Sequence, residues 1–343
     1  MKPFNNLVTI AAAGTGKTTQ LIKATEKLND KKILITTYTN ENTDQIKAFL
    51  YAKYGHLPSN ITILSWYSFL LREGARPFQN SLGFERRIES IAWVNKHKFH
   101  KKTDFLTPQY RIYRDKVSEF ICECNKVSRG AIINRLEKIY DYIFIDELQD
   151  LSGYDLDFLY LLFNSRISIW AVGDPRQAVL STNHSTKNKK YNRSGIFSWL
   201  KKHQKSGLIS IAESNKCYRC NQKICDFANQ IFPEYSPISS ANTYLGNHEG
   251  IFLISDLEVP TYIQQYHPTI LRRWIKTDTQ NYLAYNIGVV KGRTFDRILI
   301  FPTATMLNAV RNKNFINFKD KTLLYVAITR ARHSVTFVDT SKE

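Results

Sequence analysis

Apolar residues along this chain fall into short blocks separated by polar, helix-compatible stretches, and that alternation predicts a parallel α/β architecture. Leu7-Val8-Thr9-Ile10 reads as a first strand, and Ile33-Leu34-Ile35-Thr36-Thr37-Tyr38 as a second. The second is followed by Thr39-Asn40 and a helix through Asp44-Gln45-Ile46-Lys47-Ala48-Phe49-Leu50. Ile61-Thr62-Ile63-Leu64 is another strand, ending at Ser65-Trp66. Tyr142-Ile143-Phe144-Ile145 is an unbroken apolar run, the pattern of a strand covered on both faces of a parallel sheet. Ile167-Ser168-Ile169-Trp170-Ala171-Val172 follows, and strands over 250–254, 297–301 and 334–338 belong to a second half that begins near Ile209. From about Leu71 to Lys138 the pattern is helical and polar-rich with no evident strand, as in an insertion. The expected division is a first domain at 1–208, with a helical insertion at about 72–138, and a second domain at 209–343.

The first strand runs into Ala11-Ala12-Ala13-Gly14-Thr15-Gly16-Lys17-Thr18-Thr19. Glycines at 14 and 16 let backbone N–H groups turn toward phosphates, and a helix starting near Lys17 adds its positive N-terminal end. Lys17 can reach β- and γ-phosphates and Thr18 can ligate Mg2+. Ala11 stands where the motif usually has its first glycine. The strand at 142–145 ends in Asp146-Glu147-Leu148-Gln149-Asp150. Asp146 can hold Mg2+ opposite Thr18, and Glu147 can polarise an attacking water. A water-activating Glu beside the metal Asp favours hydrolysis over phosphoryl transfer to a small metabolite.

Charge adds a second theme. The 343 residues carry 48 Lys and Arg against 30 Asp and Glu, a formal +18, which points to a polyanionic partner such as nucleic acid. Basic clusters recur at Lys96-His97-Lys98 with His100-Lys101-Lys102, at 187–190 with Arg193, at Lys201-Lys202 with Lys205, at Arg272-Arg273, and at Arg311 and Lys313. Twenty Phe, 19 Tyr and 5 Trp offer rings for base stacking, though most belong to the core. No apolar run approaches the roughly 20 residues that span a bilayer. The N-terminus runs straight into the first strand without the pattern of a signal peptide, so a cytoplasmic protein is expected. Five cysteines, an odd number, suit a reducing compartment. Cys217-x-x-Cys220 with Cys225 lacks a second well-spaced pair, which argues against a metal site.

Taken in order, these segments resemble the motifs of superfamily 1 DNA helicases of the UvrD/Rep type. The phosphate loop is similar to the first motif, and Asp146-Glu147-Leu148-Gln149-Asp150 to the second, D-E-x-Q-D. Thr37-Tyr38-Thr39-Asn40 resembles T-F-T-N, which implies contact of Thr39 and Asn40 with single-stranded DNA. Gly173-Asp174-Pro175-Arg176-Gln177 resembles G-D-x-x-Q, which would make Gln177 a γ-phosphate sensor. Tyr218-Arg219 resembles part of N-Y-R, Lys291-Gly292-Arg293-Thr294-Phe295-Asp296 resembles K-G-L-E-F-D, and 324–332 closely resembles L-Y-V-A-x-T-R-A-R. The resemblance covers nearly the whole chain. It implies two RecA-like P-loop domains with parallel sheets, ATP and Mg2+ as cofactors, and Arg219 and Arg330 acting on the departing γ-phosphoryl. The nucleotide site would comprise Ala13, Gly14, Thr15, Gly16, Lys17, Thr18, Thr19 and Gly292, with Thr18 and Asp146 on the metal and Glu147, Gln177, Arg219 and Arg330 in catalysis.

Departures from the family pattern shape the functional expectation. Thr294 replaces the family's Glu, and no segment upstream of the first strand carries the Gln that reads adenine. Ala178-Val179-Leu180-Ser181 stands where relatives have a base-stacking aromatic. About 60 residues separate Tyr218-Arg219 from the strand before Lys291, so the large second-domain insertion is missing. Ser65 and Trp66, at a strand end, are expected near the DNA, with Trp66 read either as a DNA-facing ring or as a core aromatic. The leading expectation is an ATP-dependent, single-stranded-DNA-stimulated translocase or helicase, 3′→5′ by resemblance. The alternative is an ATP-dependent DNA-binding switch subunit that acts with a partner nuclease and does not unwind processively.

Overall fold

The structure, a computed structural model, describes residues 6–94, 104–244 and 246–339. The clusters Lys96-His97-Lys98 and His100-Lys101-Lys102 lie outside the described residues. Contacts divide the chain into two units, one holding the chain up to Ile10 with Lys17–Glu213, the other holding Ala11–Gly16 with the chain from Ser214 on.

In the first unit, β1 (Leu7–Ala11), β2 (Ile33–Thr37), β3 (Ile61–Ser65), β6 (Tyr142–Ile145), β7 (Ser168–Gly173) and β8 (Ser210–Ser214) form one sheet in the order β3-β2-β6-β7-β1-β8. The pairings of β2 with β3 and β6, of β6 with β7 and of β7 with β1 are all parallel. Alternation explains why the strands read as solid apolar runs. Leu34, Ile143, Ile145 and Ile169 point into one core with Leu156, Leu159 and Phe163, whereas Ile33, Ile35, Phe144 and Val172 point into another with Leu21, Ile22, Ile46 and Leu50. The helix Lys17–Thr25 leaves the phosphate loop, and Asn40–Tyr54 follows β2 with Thr39 as its cap, its Oγ1 accepting from the Asn42 N–H at 3.2 Å. Gly55 closes that helix in the left-handed region.

Two details differ from the sequence reading. Residues 210–214, expected at the start of the second half, form the edge strand β8 of the first sheet. The span between β3 and β6, expected to be helical throughout, also holds two three-residue strands, β4 (Ser90–Ala92) and β5 (Arg111–Tyr113), which pair in parallel. Strands this short show too few alternations to register as a period. Helices Val117–Val127 and Ala131–Ile139 make up much of the rest.

In the second unit, β9 (Lys216–Cys217) pairs with β10 (Ser239–Ser240). The main sheet has five parallel strands in the order β11-β15-β14-β12-β13, where β11 is Gly250–Ser255, β12 Thr269–Arg272, β13 Tyr285–Asn286, β14 Phe295–Phe301 and β15 Ala331–Asp339. The nine-residue β15 is largely buried and lies between β11 and β14. The expected α/β class with parallel sheets is thus observed. Among the described residues no helix is long and apolar enough to cross a membrane.

Candidate nucleotide site

Gly14 and Gly16 both sit at φ +75°, a left-handed conformation that gives the loop after β1 its two reversals. Thr15 is buried and its hydroxyl donates to the Ala12 carbonyl at 2.9 Å, closing the loop on itself. Within the second unit the loop is also held by Tyr325, whose hydroxyl accepts from the Ala13 N–H at 3.3 Å, and by the Tyr218 N–H, which donates to the Gly14 carbonyl at 2.9 Å. A Cβ on Gly14 would fall 2.6 Å from the Cys217 sulfur and 2.9 Å from the Arg219 Cβ, so no other residue fits there. Ala11 is fully buried as the last residue of β1, and Thr19 is exposed on the first turn of the following helix.

Lys17 and Thr18 begin that helix, and Thr18 faces the end of β6. Its Oγ1 donates to Asp146 Oδ2 at 2.7 Å, and the Glu147 N–H donates to Asp146 Oδ1 at 2.9 Å. Burial, then the neighbouring Glu147 carboxylate, push the Asp146 carboxyl up to about 6 against the pull of Thr18 and Lys17. Two oxygens 2.7 Å apart suit one small hard cation, since adjacent ligands of octahedral Mg2+ lie roughly 3 Å apart. Such a cation would offset the cost of the buried carboxylate. The residues present therefore fit Mg2+.

Glu147 occupies φ +59°, rare for a residue with a side chain and held by its surroundings. Gln149 supplies part of that hold. Its Nε2 donates to the Glu147 carboxylate, and its Oε1 accepts from the Asp174 N–H at 2.9 Å. A Cβ on Gly173 would meet this Oε1 at 2.6 Å, so glycine is what lets the two strand ends approach. Asp174 is fully buried. Burial would raise its carboxyl, yet Arg176, Lys17 and Gln177 hold it below the usual range. Arg176 Nε reaches Asp174 Oδ1 at 2.7 Å and Gln177 Nε2 reaches Oδ2 at 2.9 Å. The structure thus brings Thr18, Asp146, Glu147 and Gln177 into one bonded run. The sequence reading gave Gln149 and Asp174 no role of their own, because the bond between them joins segments 25 residues apart.

In the second unit Arg219 and Arg330 meet at one residue. Arg219 NH1 donates to the Thr329 carbonyl at 2.9 Å, while buried Arg330 donates from NH2 to Thr329 Oγ1 at 3.3 Å and from Nε to the Val326 carbonyl at 3.1 Å. Gly292 is exposed at φ +88° in the turn before β14.

The residues expected to meet DNA separate. Asn40 is exposed and Thr39 is half-buried. Ser65 is nearly covered and donates to Ser68 Oγ at 2.9 Å. Trp66 is 1% exposed, with its ring against Phe69 and Phe158. Of its two readings the core one describes its position, because the helix that starts at Trp66 turns the ring back under the sheet.

A strand, a phosphate loop, a helix and an acidic strand end on a parallel sheet define a helicase-like P-loop NTPase. The family model described as the viral superfamily 1 RNA helicase core domain matches residues 108–339, and one described as an AAA domain matches residues 3–183. The chain belongs to the superfamily 1 helicase core family. Its fold is similar to that of the arterivirus nonstructural protein 10 helicase, with a TM-score of 0.54 and 12% identity over 99% of this chain and 61% of that one. A structure of the same arterivirus helicase with DNA matches with a TM-score of 0.51 and 14% identity over 98% of this chain and 62% of that one. The chain thus spans about three fifths of the length of these helicases. No curated protein matches it.

Proposed function

We propose that this chain hydrolyses ATP with Mg2+ and uses the cycle to move along single-stranded DNA, as a compact translocase or helicase of the UvrD/Rep type. The observation that carries the reading is the bonded run from Thr18 through Asp146 and Gln149 to Asp174 and Gln177, which joins three motifs of the hydrolytic apparatus. In this reading the N–H groups of 13–19 cradle the phosphates and Lys17 sets a point charge on their β- and γ-oxygens. Thr18 and Asp146 would hold Mg2+, which when bound neutralises charge on the phosphate oxygens. Glu147 takes the proton of the attacking water, and Gln177 reports the γ-phosphate. Arg219 and Arg330 favour the transition state as charge shifts to the departing group. Gly292 gives the nucleotide room in the turn before β14.

A nucleic-acid substrate is supported by the formal +18 charge, by the helicase family, and by the arterivirus relative whose structure includes DNA. Thr39 and Asn40 are the residues assigned to the strand at the β2 end. The 3′→5′ polarity rests on the UvrD/Rep resemblance. The absence of an aromatic at 178–181 favours a second reading, a cytoplasmic DNA-binding switch that works with a nuclease or another subunit.

Steady-state ATPase measurements with single-stranded DNA and RNA oligonucleotides test the reading. Stimulation by DNA is expected, and greater stimulation by RNA would reassign the substrate. Stopped-flow translocation on end-labelled strands then separates motor from switch. Stimulated hydrolysis without directional movement would overturn the motor.

A further inference from the structure

Trp93 follows β4 in the insertion of the first unit and is 63% exposed, with Val94 beside it at 62%. Exposed tryptophan is uncommon enough to ask what its ring faces. Among the described residues its ring meets that of Tyr67, at 5.0 Å between centroids and 78° between planes. Whichever ring presents its edge, at least one indole face stays uncovered by Tyr67. Tyr67 is itself fixed, since its hydroxyl donates to the Thr182 carbonyl, and its ring lies 6.0 Å from that of Tyr38. Tyr38 directly precedes Thr39 and Asn40. A line of rings therefore runs from the ends of β2 and β3 out to Trp93.

Trp93 and Val94 line a concavity of about 1000 Å³ with Arg114, Lys116, His184 and Lys187. Asp115 and Glu119 also line it, and each pairs with a neighbouring cation: Arg114 with Asp115 at 3.0 Å, Lys116 with Glu119 at 2.5 Å. Lys187 lies 3.7 Å from Asp157 and 5.7 Å from the centre of the Tyr154 ring. Each of the three cations thus has one carboxylate beside it, Asp115, Glu119 or Asp157. Lys187 and Asp157 form the most exposed of these pairs, and such a pair contributes little to stability, so Lys187 can exchange its carboxylate for a phosphate at small cost. An exposed indole beside cations is the combination that binds single strands without reading sequence.

We infer that Trp93 is a stacking platform for one base of a single-stranded nucleic acid, with Arg114, Lys116 and Lys187 along its backbone. This rests on the nucleic-acid reading above and adds to it a site in the insertion. It supplies a ring that the chain lacks at 178–181 and that Trp66, buried in the core, does not offer. Duplex does not satisfy the platform, because its bases are already stacked.

The test is fluorescence anisotropy of a labelled oligothymidylate across a salt series, run on the full chain. Trp93→Ala is expected to weaken binding roughly five- to a hundredfold, while Trp93→Phe keeps most of the affinity. The slope of log affinity against log salt should stay unchanged in Trp93→Ala, because no phosphate contact is lost, and should become shallower in Lys187→Ala. One abasic site placed at successive positions should weaken the unmutated protein at one register and leave Trp93→Ala indifferent. Trp93→Ala within twofold of the unmutated protein, or a parallel loss of affinity and salt slope, overturns the platform while the nucleic-acid reading stands. If the unmutated protein binds neither single-stranded DNA nor RNA, both fall. A blunt duplex bound as tightly as the single strand also overturns the platform.

Discussion

The carboxyl ends of β6 and β3 belong to one sheet and are built on opposite terms. At the β6 end, polar groups are drawn inward and bonded to one another, from the Thr18 hydroxyl through Asp146 to Gln149 and Asp174. At the β3 end the chain gathers aromatic rings: Trp66 and Tyr67 are buried, and Trp93, whose ring meets that of Tyr67, is exposed. In the proposed reading the difference follows from the tasks. Hydrolysis needs each oxygen fixed to a fraction of an ångström, which demands buried, mutually satisfied groups. Holding a moving strand needs tolerant contacts, and every base has a face to stack.

The contrast breaks first at Glu147. Glu147→Gln should retain nucleotide binding and lose roughly a hundredfold to ten-thousandfold in turnover, because an amide cannot accept the water's proton. Nucleotide affinity by fluorescent-analogue titration and single-turnover hydrolysis make the comparison. Turnover within tenfold of the unmutated enzyme would remove Glu147 from the role of base and leave the β6 end a structural network.

The next largest effect belongs to Trp66. Trp66→Ala should cost roughly 3–5 kcal/mol of stability, the range for emptying a large core aromatic, by urea denaturation. Oligothymidylate affinity of the folded fraction should remain within about twofold. Trp93→Ala is expected to do the reverse. If Trp66→Ala lost affinity without losing stability, the assignment of the two rings would be exchanged.

A smaller effect separates buried charge with a catalytic task from buried charge without one. Asp155 is buried in the first unit, and the Ser118 hydroxyl donates to it. Burial chiefly raises its carboxyl to about 6 from an ordinary 3.8, against the pull of the Ser118 hydroxyl and of the nearby Thr182 and Trp66 donors. The folded state therefore holds this proton more tightly than the unfolded chain. Its contribution to stability must fall as pH rises from about 4 to about 6 and then level off, by at most ~3 kcal/mol. Asp155→Asn, which mimics the protonated form, should gain on the unmutated protein across that window in denaturation experiments. Parallel pH profiles would show that Asp155 ionises normally in the fold.

How much of this could be read from the sequence depends on how locally each feature is written. The α/β class was legible because β2 and β6 are buried on both faces and so read as solid apolar runs. β4, β5 and β12 were not, because three or four residues carry no period and their places are set by the strands beside them. The loop at 11–19 and the acidic run at 146–150 are contiguous, and their residue types are dictated by the chemistry of phosphate and metal. Trp66 and Trp93 look alike in sequence, each following a short apolar run. Only the fold separates them: the helix after β3 buries Trp66 in the core, and the end of β4 leaves Trp93 exposed.

The last comparison lies inside the hydrolytic network and turns on Gln149, which touches neither phosphate nor metal in the proposed reading. Its amide bonds both to the Glu147 carboxylate and to the backbone after β7, and so ties two strand ends together beside the proposed base. Gln149→Met keeps length and bulk and removes both hydrogen bonds. Loss of a supporting partner of this kind costs roughly ten- to a hundredfold at comparable sites, and here it should fall on kcat while KM for ATP stays within about twofold. A purely structural Gln149 would give the other pattern, a lower melting temperature with the kcat of the folded enzyme intact. Gln149→Glu sharpens the distinction, since a second carboxylate against Glu147 must repel it. Its activity should be the lowest of the series at neutral pH and recover partly in mild acid, as one of the two takes up a proton. If instead Gln149→Glu matched the unmutated enzyme across pH, the amide would not be holding the base.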